Sequence, residues 1–165
     1  MASHIEGERF IIVGTLDAVE ADQEFERIPP HMTIVRWFQM GEHHRHQFLE
    51  RAMDNVLTDQ DVYQKLVGGQ KKRYGEDKQF PVREIRGAEI GPWHAFHSLV
   101  SGIGQFREDD IYAHHFAPHV TDTPDRQVKR REQLAIPTVA LISAHSEKPA
   151  QRVLAAFTLG QKDNG

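Results

Sequence analysis

The hydrophobic pattern divides the chain into short strand-like runs and two helical stripes, separated by polar breaks. Residues 9–17 are apolar without strict alternation, as in a buried strand. The acidic segment from Glu20 to Glu26 reads as a solvated loop closed by Pro29 and Pro30. A β-branched and aromatic run from His31 to about Phe38 follows. After Gly41, the residues Phe48, Leu49, Ala52, Met53, Val56 and Leu57 recur at helical spacing. Residues 62–74 and 80–90 are weaker strand candidates around the polar turn Gly75–Lys78. Pro92 opens a second helix with Trp93, Phe96, Val100 and Ile103 on its apolar stripe. A strand over roughly 115–121 comes next, then a charged loop or short helix over 122–135. Strands from Val139 to Ser143 and from Arg152 to Leu159 close the chain before a frayed tail.

No succession of βαβ units with strongly apolar strands is visible, so the pattern favours an α+β fold with antiparallel sheets over a doubly wound one. Two strands carry the same signature. His31-Met32-Thr33 follows Pro30, and His119-Val120-Thr121 follows Pro118, about half the chain later. Side chains alternate across a strand, so each histidine shares a face with its threonine. By the same parity Trp37 joins His31 and Thr33, while Met32, Ile34 and Arg36 take the opposite face. The repetition predicts two related halves, each pairing a His/Thr strand with a helix.

Composition narrows the function. The chain has 165 residues, 39% hydrophobic and 27% charged, which predicts one ordinary globular domain over 1–165. A formal net charge of −4 argues against duplex DNA as a partner. There is no cysteine, hence neither a disulfide framework nor a thiolate zinc site. The first residues lack a basic and an apolar segment, and the run Phe10–Val13 is too short to span a bilayer. The expectation is therefore a cytoplasmic protein with no membrane partner.

Two imidazoles converging from the two halves suit phosphodiester chemistry without a metal or other cofactor. One ring takes a proton from the attacking hydroxyl, and the other protonates the leaving oxygen. Histidine titrates near neutral pH, so a pair can hold one neutral and one charged ring. The hydroxyls of Thr33 and Thr121 would donate to the non-bridging phosphoryl oxygens.

His31-Met32-Thr33-Ile34 and His119-Val120-Thr121 resemble the paired H-x-T-hydrophobic motifs of the 2H phosphoesterase superfamily, which includes the bacterial 2′-5′ RNA ligase-like proteins. In the second motif Asp122 stands where that family usually has an apolar residue. The resemblance implies a bilobal α+β fold, with two pseudo-symmetric antiparallel sheets flanked by helices around a central cleft. It implies a metal-independent phosphodiesterase acting on a cyclic nucleotide, a cyclic oligonucleotide or a 2′,3′-cyclic phosphate RNA end. Some members of that group are phage proteins that degrade host defence signals. The alternatives are a non-catalytic nucleotide- or RNA-binding module and 2′-5′ RNA end joining.

Other residues invite a role in substrate binding. Trp37 is placed to stack a nucleobase, and Tyr74 ends the basic run Lys71-Lys72-Arg73. Arg126, Lys129 and Arg130 follow the second motif and are candidates for contacts to further phosphates. The tract His43-His44-Arg45-His46 points in several directions on a helix, which disfavours a metal site. His115 and His119 would stand about 13 Å apart on a strand, too far to share a metal. His94 and His97 are expected at a surface or interface.

Overall fold

A computed structural model describes residues 8–39, 50–51, 53–54, 66–74, 80–86, 93–94, 97–98, 117–145 and 150–158. Among these residues nine strands are found: β1 (Glu8–Thr15), β2 (Glu24–Phe25), β3 (His31–Phe38), β4 (Leu66–Tyr74), β5 (Phe80–Arg86), β6 (His119–Thr121), β7 (Gln133–Leu134), β8 (Thr138–His145) and β9 (Gln151–Thr158). They form one antiparallel sheet in the order β2-β9-β8-β1-β3-β6-β5-β4-β7.

This corrects the expected α+β architecture of two sheets flanked by helices. Strand accounts for 61% of the described residues, with almost no helix, and the strands make one curled sheet. Helical backbone is found at Glu50, Arg51, Met53, Asp54, Trp93, His94, His97 and Ser98. The rest of the two expected helices lies outside the described residues. The reason for a single sheet lies in β1, whose last six residues are all buried. Ile12 packs into one core cluster, with Met32, Met53, Trp93 and Val120; Ile11 and Val13 pack into another, with Ala140, Ile142 and Val153. A strand apolar on both faces belongs in a sheet interior, and β1 is bordered there by β3 and β8. The C-terminal β8 and β9 therefore join the N-terminal strands, so the two halves of the sequence do not build separate sheets.

The segment from Leu16 to Pro30 runs from β1 out to the sheet edge, where β2 pairs with β9, and back to β3. Val19, Phe25 and Ile28 from it pack on the second core cluster. That segment walls one side of the face described next. Among the described residues no helix is long and apolar enough to cross a membrane.

Candidate active site

β3 and β6 are neighbours in the sheet, in antiparallel register with Met32 opposite Val120. That register sets His31 opposite Thr121 and Thr33 opposite His119. Met32 is 0% and Val120 1% exposed, both in the same core cluster, so the four polar side chains emerge together on the other face. They form a quartet with a local two-fold relation. In an antiparallel pair, facing side chains stand about 4.5–5.5 Å apart at Cβ, and diagonal ones, the relation of the two histidines, are separated by somewhat less than about 7–8 Å. The rings lie side by side on adjacent strands of one sheet rather than facing each other across a cleft between two.

Each ring is held the same way. Nδ1 of His31 donates to the carbonyl of Pro29 at 2.8 Å, and Nδ1 of His119 donates to the carbonyl of Ala117 at 2.7 Å. The intervening residue is proline in both cases, and a proline keeps the residue before it out of the helical region. The local sequence thus directs the carbonyl two residues back toward the ring. A hydrogen bond from Nδ1 makes Nε2 the basic nitrogen of the neutral ring, for both histidines.

Burial pushes His31 below the ordinary histidine range, against the pull of the Pro29 carbonyl, and the charge of His119 adds to the lowering. Burial likewise lowers His119, opposed by the Ala117 carbonyl. Within the described residues, the hydroxyls of Thr33 and Thr121 make no hydrogen bond. The quartet therefore gathers two imidazoles and two hydroxyls on one half-buried patch.

A cavity of about 480 Å³ opens beside the β3 half of the quartet. His31, Thr33, Arg36 and Trp37 line one side, Glu26, Arg27 and Ile28 another, and Ile11 and Gln151 complete it. Trp37 lies on the side of His31 that its parity predicts. Arg36 does not: it was expected on the opposite face, yet it lines the same cavity. The register of β1 and β3 shifts twice, and Ile34 and Val35 both pack into the first core cluster. These bulges rotate the strand by an extra residue, then restore the phase. His97, expected at a surface or interface, is 3% exposed, and its Nδ1 donates to the carbonyl of Ile34 at 2.5 Å. It satisfies a carbonyl at the bulge. The guanidinium of Arg9 sits 4.9 Å from the Trp37 ring centre.

Of the remaining predicted binders, Arg126, Lys129 and Arg130 are not gathered at the quartet. Tyr74 closes β4, in register with Phe80. Arg126 is engaged by Glu132, with its two terminal nitrogens 2.5 and 3.4 Å from the carboxylate oxygens. Lys129 and Arg130 lie in an exposed turn folded onto the β4 edge, where Gly68 and Arg131 share a backbone hydrogen bond of 2.8 Å. Val128 beside them packs into the core cluster on the far side of the sheet. His43, His44, His46, His114 and His115 lie outside the described residues.

Two further neighbours, Glu84 and Arg86 of β5, were not singled out from the sequence. Glu84 on β5 is directly opposite His119, and so shares its face. Its carboxylate is 2.7 Å from Nζ of Lys72 and also bonds Nε of Arg86. These two cations hold Glu84 below the usual carboxylate range. The pairing of Glu84 with β6 depends on a contact distant in sequence, which the weak strand signal over 80–90 does not carry. No protein-family model matches the chain, and no curated protein matches it. The resemblance to the two-histidine phosphoesterases rests on the motifs themselves.

Proposed function

We propose that this protein is a metal-independent phosphodiesterase that uses His31 and His119 as a general acid/base pair. Its substrate is a cyclic nucleotide, a cyclic oligonucleotide or a 2′,3′-cyclic phosphate RNA end. The observation that carries the reading is the quartet: two rings of the same tautomer and two hydroxyls, related by a local two-fold on one face. In the reaction, the neutral ring accepts a proton from water at Nε2 as the water oxygen bonds to phosphorus. The bond from phosphorus to the leaving oxygen breaks, and the protonated ring gives its proton to that oxygen. Thr33 and Thr121 donate to the non-bridging oxygens while charge builds there. The products are a phosphomonoester and an alcohol. The pair ends with the proton on the other ring and exchanges it with solvent.

Both rings are biased toward neutrality, and a charge on one disfavours charge on the other, so the singly protonated pair is the working form. A bound phosphodiester anion favours that proton by opposite charge. The test is incubation of the protein, with and without EDTA, with adenosine 2′,3′-cyclic phosphate and a panel of cyclic di- and trinucleotides, read by mass spectrometry. The expected result is a phosphomonoester product that chelation leaves unchanged. Loss of turnover on chelation overturns the proposal, and so does saturable binding without product, which is the behaviour of a binding module.

A further inference from the structure

The quartet is flanked by cations on both sides, and the two flanks differ in construction. On the β3 side, Arg27 and Arg36 line the cavity with a single acid, Glu26. On the β5 side, Lys72 and Arg86 converge on Glu84, next to His119. Among the described residues each flank thus carries two cations and one carboxylate, in a chain whose formal net charge is −4.

The β5 flank is built to hold an oxyanion. Lys72 and Arg86 are 43% and 57% exposed, while the carboxylate between them is 14% exposed. Glu84 accepts charge-assisted bonds from both, as the non-bridging oxygens of a phosphate would. Gly69 on β4 leaves room for this arrangement: a Cβ there would meet both the Glu84 carboxylate and the Arg86 side chain at 3.1 Å. The positions run across the sheet, from β3 through β6 and β5 to β4. That is three strand spacings, about 14 Å. A single nucleoside phosphate centred on the two histidines reaches one flank at most.

Resting on the phosphodiesterase reading above, we propose that the substrate is an oligonucleotide whose phosphates on either side of the scissile one are held by Arg27 and Arg36 and by Lys72 and Arg86. Trp37, within the first flank, supplies a ring face for a base of the same strand. Glu84 bonds both cations of the second flank and yields them to the incoming phosphate. Length therefore enters recognition through charge, on top of whatever the quartet itself binds.

The experiment is isothermal titration calorimetry on the full chain carrying His31→Ala, so that the probe is not consumed. The probes are cyclic 3′,5′-triadenylate, which carries three phosphates, and adenosine 2′,3′-cyclic phosphate, titrated over a range of NaCl concentrations. The expected result is triadenylate binding about tenfold tighter at low salt, with a salt slope of roughly −0.7 per neutralised phosphate. Lys72→Gln and Arg86→Gln, each added to that chain, weaken triadenylate severalfold, flatten its salt slope and leave the cyclic mononucleotide unchanged. Glu84→Gln, with a competing carboxylate removed, tightens triadenylate. Equal affinity for the two probes, or substitutions that weaken both alike, overturns the inference. Turnover by the unsubstituted protein is followed on the same probes. Length-dependent binding without product sinks the phosphodiesterase reading alone, product without length dependence sinks this inference alone, and no binding of either probe sinks both.

Discussion

The two His-x-Thr strands carry the same motif on very different supports. β3 runs for eight residues, is bordered by β1 and β6, and stands beside the cavity. β6 has three residues, with β5 along its length and a single register pair to β3. The rings are nevertheless held alike, each by the carbonyl two residues back across a proline. The comparison shows that the tautomer is set by a three-residue fragment, while strand length and neighbours set what surrounds it. What holds the rings is shared between the strands and what surrounds them is not: the β3 motif meets a cavity, the β6 motif an ion-paired carboxylate.

Breaking the shared part has the largest expected effect. His31→Ala and His119→Ala should each reduce kcat by about 10²–10⁴-fold, with losses of similar size on the two strands. A large loss for one and none for the other, in steady-state kinetics, ends the picture of a matched pair. Thr33→Ala and Thr121→Ala should each cost up to about 10²-fold in kcat, recovered by serine, which restores the hydroxyl. If serine behaves like alanine, the hydroxyls do not act as donors.

The smallest effect sharpens the difference between the two sides. Both rings titrate below the ordinary value of 6.5, so the acid limb and the maximum of kcat/KM should fall below about pH 6.5. Folded pKa values below the unfolded one mean that the unfolded chain binds more protons. Stability is then undiminished above about pH 6.5 and falls as pH drops toward the folded values. Replacing His119 by alanine removes a positive neighbour and should raise the His31 midpoint, measured by NMR titration of the ring. An unchanged or lowered midpoint contradicts the proximity of the rings.

Much of the strand content was legible, because strand signals are local. His31–Phe38 coincides with the apolar run after Pro29-Pro30, and the runs near residues 9–17, 139–143 and 152–159 reappear as β1, β8 and β9 with shifted ends. The two-residue strands β2 and β7 lie in segments read as loop, since two residues carry no period. The sheet count was not legible. Two repeated motifs suggested two sheets, but nothing local to residues 138–145 says that they pair with β1 rather than with a neighbour of β6. The quartet was readable as residue types at a spacing. Its arrangement was not, because the pairing of Met32 with Val120 joins positions from opposite halves of the chain. Arg36 was misplaced for a related reason: strict alternation has no way to count a bulge.

The seam between the two motifs also has a failure mode. A strand that slips by one position turns every side chain to the opposite side. Such a slip of β6 against β3 would drive His119 and Thr121 into the interior and bring Val120 out beside His31. Val120 sits at 1% exposure among apolar neighbours, and lifting it into water is what such a slip would cost. A valine with no chemistry of its own is thus the pin that keeps the two imidazoles in phase.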